Sequence, residues 1–159
     1  MTATVLSLYA RKGGVGRTML TQNLAGACAE RDVPVLVVDT DPQASVSKNF
    51  LGAAAVERLR PHETIAALFD SRREPEASSL IHPTGIDNIR LLPASDYLEA
   101  YDLPRPQKLG DTPFALRDFL DEVLESFVMI LIDTPPAVSN LPAWSSLLAA
   151  DYVVTPVTP

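Results

Sequence analysis

Cysteine is nearly absent. Cys28 is the single one in 159 residues, so no disulfide can form within the chain. It falls on the apolar face expected of the first helix, which makes it a small core side chain rather than a reactive thiol. No apolar run approaches the ~20 residues that a membrane-spanning helix needs. The N-terminus has neither the basic start nor the apolar block of a secretory signal. Together these absences lead us to expect a cytoplasmic protein with no membrane partner. Basic residues are outnumbered, 13 Lys and Arg against 20 Asp and Glu. The net charge of −7 argues against a chain that coats nucleic acid with its whole surface and leaves room for a local basic patch. The densest basic cluster, Arg58, Arg60, Arg72 and Arg73, is interleaved with Glu57, Glu63, Glu74 and Glu76 and reads as a solvated face. His62 and His82 sit beside prolines without a Cys or His partner at metal spacing, so both are expected to face solvent. There is no internal repeat and no low-complexity tract. No helix-turn-helix precedes the first expected strand, which argues against sequence-specific operator binding.

What is present describes an ordinary globule. Hydrophobic residues make up 47% and charged residues 21%, over a length that suits one domain spanning 1–159. The most informative stretch is Ala10-Arg11-Lys12-Gly13-Gly14-Val15-Gly16-Arg17-Thr18. Before it, residues 4–9 are short, apolar and rich in β-formers, the pattern of a buried strand. After it, Leu20, Leu24, Ala27 and Cys28 recur at helical spacing through a helix expected over 18–30. A strand feeding a Gly-rich turn that opens a helix is a phosphate site. Its backbone N–H groups turn inward, and the helix start adds unpaired donors at the positive end of the dipole. Thr18, directly after a basic residue, stands where a magnesium ligand would sit. The stretch departs from the usual phosphate-loop pattern, because Arg11 replaces the first Gly and Arg17 replaces the Lys. A dinucleotide fingerprint on Gly14-Val15-Gly16 with Asp39 is the weaker reading: Met19 occupies the third glycine's place, and Lys12 and Thr18 would have no purpose.

Further along, residues 35–38 form a second expected strand that ends in Asp39-Thr40-Asp41-Pro42-Gln43. Two carboxylates then stand at the carboxyl end of a strand, the edge where parallel α/β sheets hold ligands. A short helix is expected after 45, another over 63–69, a polar loop over 71–79, an edge strand at Leu80-Ile81 and a strand over 88–92. Ser95 is expected to cap a helix through Tyr101. Thr112 is expected to cap a helix with Pro113 in its first turn and a stripe of Leu116, Leu120, Val123 and Phe127. Residues 128–132 run straight into Asp133-Thr134-Pro135-Pro136. Five apolar residues ended by Asp are a Walker B strand, which presents its carboxylate to the water shell of a magnesium ion. A helix over 141–149 and a strand opening at 151 complete the chain.

Lys12, Gly13, Gly14, Val15, Gly16 and Thr18, with Asp39-Thr40-Asp41-Pro42-Gln43 and Asp133-Thr134-Pro135-Pro136, resemble the deviant Walker A ATPases of the ParA/MinD family. The likeness covers almost the whole chain and fails at Arg17 and at Met19, where these ATPases usually carry Lys and Thr. It implies an α/β, three-layer P-loop NTPase fold with a mostly parallel sheet, here lacking its C-terminal third. It implies ATP and magnesium as cofactors, held by Gly13, Gly14, Val15, Gly16, Arg17, Thr18 and Met19, with Thr18, Asp39 and Asp133 serving the metal. Asp41 would orient or deprotonate the attacking water. Lys12 would reach the phosphates of a second subunit, so that ATP joins a sandwich homodimer. The function implied is DNA segregation: a dimer that binds DNA nonspecifically, through a region mostly outside this chain, and is released when a ParB-like DNA-binding activator stimulates hydrolysis. Arg17 leaves three readings open: a slow enzyme, a nucleotide-dependent scaffold or cargo-positioning protein without turnover, or an engineered substitution. Its planar guanidinium is a poor mimic of a compact ammonium in such a loop.

Overall fold

The computed structural model describes residues 2–72, 75–137 and 140–157. Arg73 and Glu74 of the mixed charge cluster, and the final Thr158-Pro159, lie outside the described residues. Six strands form one sheet: β1 (Thr4–Leu8), β2 (Val35–Asp39), β3 (His82–Pro83), β4 (Ile89–Leu92), β5 (Met129–Asp133) and β6 (Tyr152–Val154). Their order is β3-β4-β2-β5-β1-β6. All pairings are parallel except β3 with β4. The helices are α1 (Arg17–Ala29), α2 (Ser45–Leu51), α3 (Ala53–Val56), α4 (Ala77–Leu80), α5 (Ala115–Val123) and α6 (Leu141–Leu148), with short 3₁₀ turns between them.

The sheet is the middle of three layers. Strand residues alternate between its faces, so Leu36, Val38, Ile130 and Ile132 pack with α5 and α6 through Leu116, Leu120 and Leu141. Val35, Val37, Leu91 and Leu131 pack on the other face against Ala25 of α1 and Val46 of α2. Both faces being covered explains why β2 is buried at every position and reads as an unbroken apolar run.

The crossover from β1 to β2 passes over β5, which lies between them. Leu8 and Asp39 are consequently both in register with Asp133. This one topological fact brings the loop after β1, the acidic turn after β2 and the end of β5 to a single edge.

Several local expectations are corrected. The deepest line of α1 is Arg17, Thr21 and Ala25, while Leu20, Leu24 and Cys28 are half-buried beside it. Residues 63–69 form two 3₁₀ turns, Pro61–Glu63 and Ile65–Phe69, because the Ile65 N–H is drawn to the Pro93 carbonyl at 2.9 Å. The edge strand falls on His82–Pro83, with Leu80 buried at the end of α4 instead. His82 is half-buried, its Nε2 2.8 Å from the Glu63 carbonyl oxygen, whereas His62 is exposed as expected. Neither Ser95 nor Thr112 caps a helix through its side chain. Ser95 precedes a 3₁₀ turn, Asp96–Tyr101, and Thr112 lies inside another, Thr112–Phe114, that leads into α5.

Candidate functional site

The loop from Ala10 to Gly16 leaves the end of β1 and turns into α1 through two glycines at positive φ, Gly14 at +73° and Gly16 at +88°. A side chain at either would be strained, which is why the sequence has glycine there. Gly13 has ordinary backbone angles, but a Cβ added there or at Gly14 would meet nothing within 4 Å. The concave side of the loop is open. Gly16 ends the loop in the N-cap position of α1 with no side chain capping the helix, so the first-turn N–H groups keep their donors for something else. Met19 is 65% exposed and lies against Gly16, its Cε 3.7 Å from where a Cβ would be.

Arg17 differs from expectation. Its guanidinium folds in beneath the loop, only 8% of the residue being exposed. Nη1 donates to the Ala10 carbonyl at 2.6 Å and to the Lys12 carbonyl at 3.0 Å, fastening the two ends of the loop's first turn. Its Nε is buried without a partner among the described residues. The planar group therefore finds room, as a clasp on the loop's own backbone. Lys12 contributes only its carbonyl to this clasp. Its side chain is exposed, and among the described residues its ammonium has no hydrogen-bond or ion-pair partner.

Asp133 is the hub. The Thr18 hydroxyl donates to its Oδ2 at 2.8 Å, and the Thr21 hydroxyl, one helical turn on, shares its proton between the Arg17 carbonyl at 3.1 Å and Asp133 Oδ1 at 3.3 Å. The Thr40 hydroxyl donates to the Asp133 carbonyl at 2.9 Å and lies 2.9 Å from the Ser146 hydroxyl, whose proton is shared with the Pro142 carbonyl at 2.7 Å, tying β5 to the turn after β2 and to α6. Burial pushes the Asp133 carboxyl up to about 6, against the stabilising hydrogen bond from Thr18 and the nearby Arg17 charge.

Asp39 was expected among the metal groups, but its oxygens are used inside the protein. Oδ2 accepts from the Ser47 N–H at 2.9 Å and hydroxyl at 2.7 Å, and Oδ1 accepts from the Asp41 N–H at 3.1 Å. It anchors the acidic turn and the first turn of α2. Full burial and the neighbouring Asp133 raise it to about 7, more than its hydrogen bonds lower it. Asp41 is half-buried on the turn, with Oδ1 accepting from the Gln43 N–H at 2.9 Å. Ala44 then takes a left-handed conformation, φ +53°, to start α2, an unusual geometry for a residue with a Cβ.

Thr18, Asp39, Asp41 and Asp133 thus lie at one edge of the sheet beside the glycine loop. Lys12 sits on the loop with its side chain exposed and without a partner among the described residues. Sequence reasoning missed Thr21, Ser47, Thr40 and Ser146. Thr21 could have been found, since a second hydroxyl three residues after Thr18 must share its helix face. The arrangement fits a magnesium–phosphate ligand. Asp133, buried and with the Thr18 hydroxyl on its Oδ2, would gain from a divalent cation, and free helix-start donors suit a phosphate. Among the described residues no group of three or more His, Cys, Asp or Glu is placed to hold a metal ion by itself.

A family model described as an AAA domain matches residues 3–159. The chromosome-partitioning ATPase Soj of Thermus thermophilus is 34% identical over 152 residues, which cover 96% of this chain and 53% of Soj. The chain spans about half the length of curated relatives it matches, from 40% to 59% for three of them. A plasmid partition protein of Borrelia burgdorferi superposes with a TM-score of 0.83 at 24% identity, covering 99% of this chain and 66% of that one. Cobyrinic acid a,c-diamide synthase of Mycobacterium smegmatis, solved with ADP and magnesium, superposes with a TM-score of 0.81 at 27% identity, covering 98% and 60%.

Proposed function

The chain belongs to the ParA/MinD-like P-loop family of AAA domains, and from that premise we propose that it is the nucleotide-binding portion of a DNA-partition ATPase. The observation that carries this reading is the Thr18–Asp133 pair at 2.8 Å beside the open glycine loop. Phosphoryl transfer from ATP to water asks a protein chiefly for positioning and charge neutralisation. In this reading the backbone N–H groups of Gly13, Gly14, Val15, Gly16, Arg17 and Thr18 would hold the β-phosphate. The Thr18 hydroxyl would serve as a magnesium ligand, and Asp133 would hold the metal's water shell. Bound magnesium would offset the negative charge of the β- and γ-phosphates. Asp39 holds Asp41 through the Asp41 N–H, and Asp41 orients or deprotonates the attacking water. Met19 lines the outer rim of the loop.

Lys12, exposed and without a partner among the described residues, would reach outward to phosphates held by a second copy of the chain, as an ATP-joined homodimer requires. Release by a ParB-like activator and nonspecific DNA contact belong to the same reading. The DNA surface would come from the part of such proteins beyond the span matched here, given the chain's own net charge of −7.

A second reading has its own observation. Arg17 is committed to the carbonyls of Ala10 and Lys12, so it is not free to follow a γ-phosphate as a lysine would. That favours a nucleotide-dependent scaffold with little turnover. Paired assays separate the two: Mg·ATP binding followed by a fluorescent analogue, and phosphate release with and without DNA. Binding with turnover supports the partition ATPase, binding without turnover supports the scaffold, and neither binding nor turnover rejects both.

A further inference from the structure

Arg17 opens α1, and its side chain returns to carbonyls at the far end of the loop. A side chain that joins the two ends of a loop spans its chord, so the guanidinium forms the loop's floor. The three nitrogens of that group stand differently. Nη1 is spent on the carbonyls of Ala10 and Lys12, at 2.6 and 3.0 Å. Nε is sealed from solvent and has no partner among the described residues. Nη2 makes no hydrogen bond among the described residues either, yet it is not sealed as Nε is. Nη2 is therefore the one nitrogen of the group open to a ligand. It also cannot travel, because the planar group is fastened to backbone at two points and the residue is only 8% exposed.

A fixed donor and a mobile one serve different phosphates. In the usual loop the backbone N–H groups cradle the α- and β-phosphates, and a lysine on a flexible stem reaches the β- and γ-phosphates. Nη2, tied through its guanidinium to the loop's own carbonyls, stays with the phosphate that the loop itself holds. A γ-phosphate lies one phosphoryl unit further out and gains no donor from position 17.

We propose that Arg17 sets the nucleotide preference of a single chain, favouring a nucleoside diphosphate over the triphosphate by comparison with a lysine at the same position. This rests on the nucleotide reading above and names which nucleotide the site retains. Its consequence is that the diphosphate left by hydrolysis is held, so the diphosphate state is the long-lived one. A triphosphate then gains its advantage from groups other than Arg17, namely magnesium or Lys12 of a second copy.

The test is titration calorimetry of ADP and of ATP on the parent chain and on Arg17→Lys. It is run in EDTA, so that no metal bridges the phosphates, and at a concentration where each protein sediments as a single chain. The readout is the ratio of the two Kd values, ATP over ADP. Loosening the loop weakens both nucleotides alike and leaves that ratio unmoved, whereas a change of preference moves it. The ratio should be about tenfold higher in the parent than in Arg17→Lys. A second measurement needs no variant: in the parent labelled with ¹⁵N-arginine, ADP should shift the Arg17 guanidinium signals in nuclear magnetic resonance, and adenosine should not. Equal ratios in parent and variant would overturn the proposal and leave the nucleotide reading standing. So would guanidinium signals that stay put while ADP shifts the amides of residues 13–16. Failure of the parent to bind either nucleotide would overturn the nucleotide reading, and this proposal with it.

Discussion

Thr18 and Asp133 are 115 residues apart in the chain, yet the hydroxyl of one donates to the carboxylate of the other at 2.8 Å. The cause is the insertion of β5 between β1 and β2, which puts the end of β5 in register with the ends of both neighbours. The chemistry proposed here depends on that contact.

The paired carboxyls make a pH signature. Asp39 is raised from 3.8 to about 7 and Asp133 to about 6, burial being the first cause for both. A folded-state value above the unfolded one means the folded chain holds the proton more tightly. The resulting stabilisation is complete below the unfolded value and is lost as pH rises through the folded ones. Asp39→Asn, which cannot ionise, should therefore gain in melting temperature over the parent between about pH 5 and pH 7.5. A melting-temperature difference that is the same at both ends of that range would contradict the shift.

Ser47 is the link that holds α2 to the sheet edge. It donates twice to Asp39 and accepts from the Ala94 N–H. Ser47→Ala removes the hydroxyl, leaving a buried N–H unmet and Asp39 with one donor fewer. Urea unfolding should show a loss of about 1–3 kcal/mol. A loss within experimental error would mean the network is not taut.

Arg17→Lys replaces a two-point clasp by a mobile ammonium. Phosphate release should rise by roughly tenfold or more if the partition reading holds, because the cation can then reach the γ-phosphate. Hydrogen exchange in residues 11–16 should quicken at the same time, since the carbonyls of Ala10 and Lys12 lose their shared donor. A slower loop with no gain in turnover would overturn the clasp account.

Lys12→Ala should leave Mg·ATP binding by a single chain nearly intact and abolish ATP-dependent self-association. Sedimentation velocity with and without Mg·ATP reads this directly. An unchanged nucleotide-linked dimer would show that Lys12 acts within its own loop only.

The motifs and the strands were legible because their signals are local. Four or five apolar residues ended by Asp, or a strand opening onto glycines, specify their own conformation. The order of strands is not local, and nothing in residues 128–133 says that they lie between β1 and β2. Two errors share one physical cause. Around Leu20 and Leu24, hydropathy was read as burial, whereas α1 turns Arg17 and Thr21 inward because they bond to a loop carbonyl and to Asp133. Likewise Ser47 is fully buried because Asp39 is, a demand that only the folded neighbour makes. Residues 65–69 kept their helical pattern but took a tighter turn, since a distant carbonyl at Pro93 captured the first N–H. Arg17 showed the reverse: the sequence marked the position as anomalous, and the structure supplied what the anomaly does.

The most direct test of the shared site is the magnesium dependence of ATP affinity, measured by titration calorimetry on the parent chain and on Thr18→Val. The parent should bind ATP roughly tenfold more tightly with magnesium than with EDTA, and Thr18→Val, which keeps the shape but loses the hydroxyl, should lose most of that difference. Equal affinity with and without magnesium in the parent, or a magnesium effect that survives intact in Thr18→Val, would contradict a metal–nucleotide pocket built on Thr18 and Asp133.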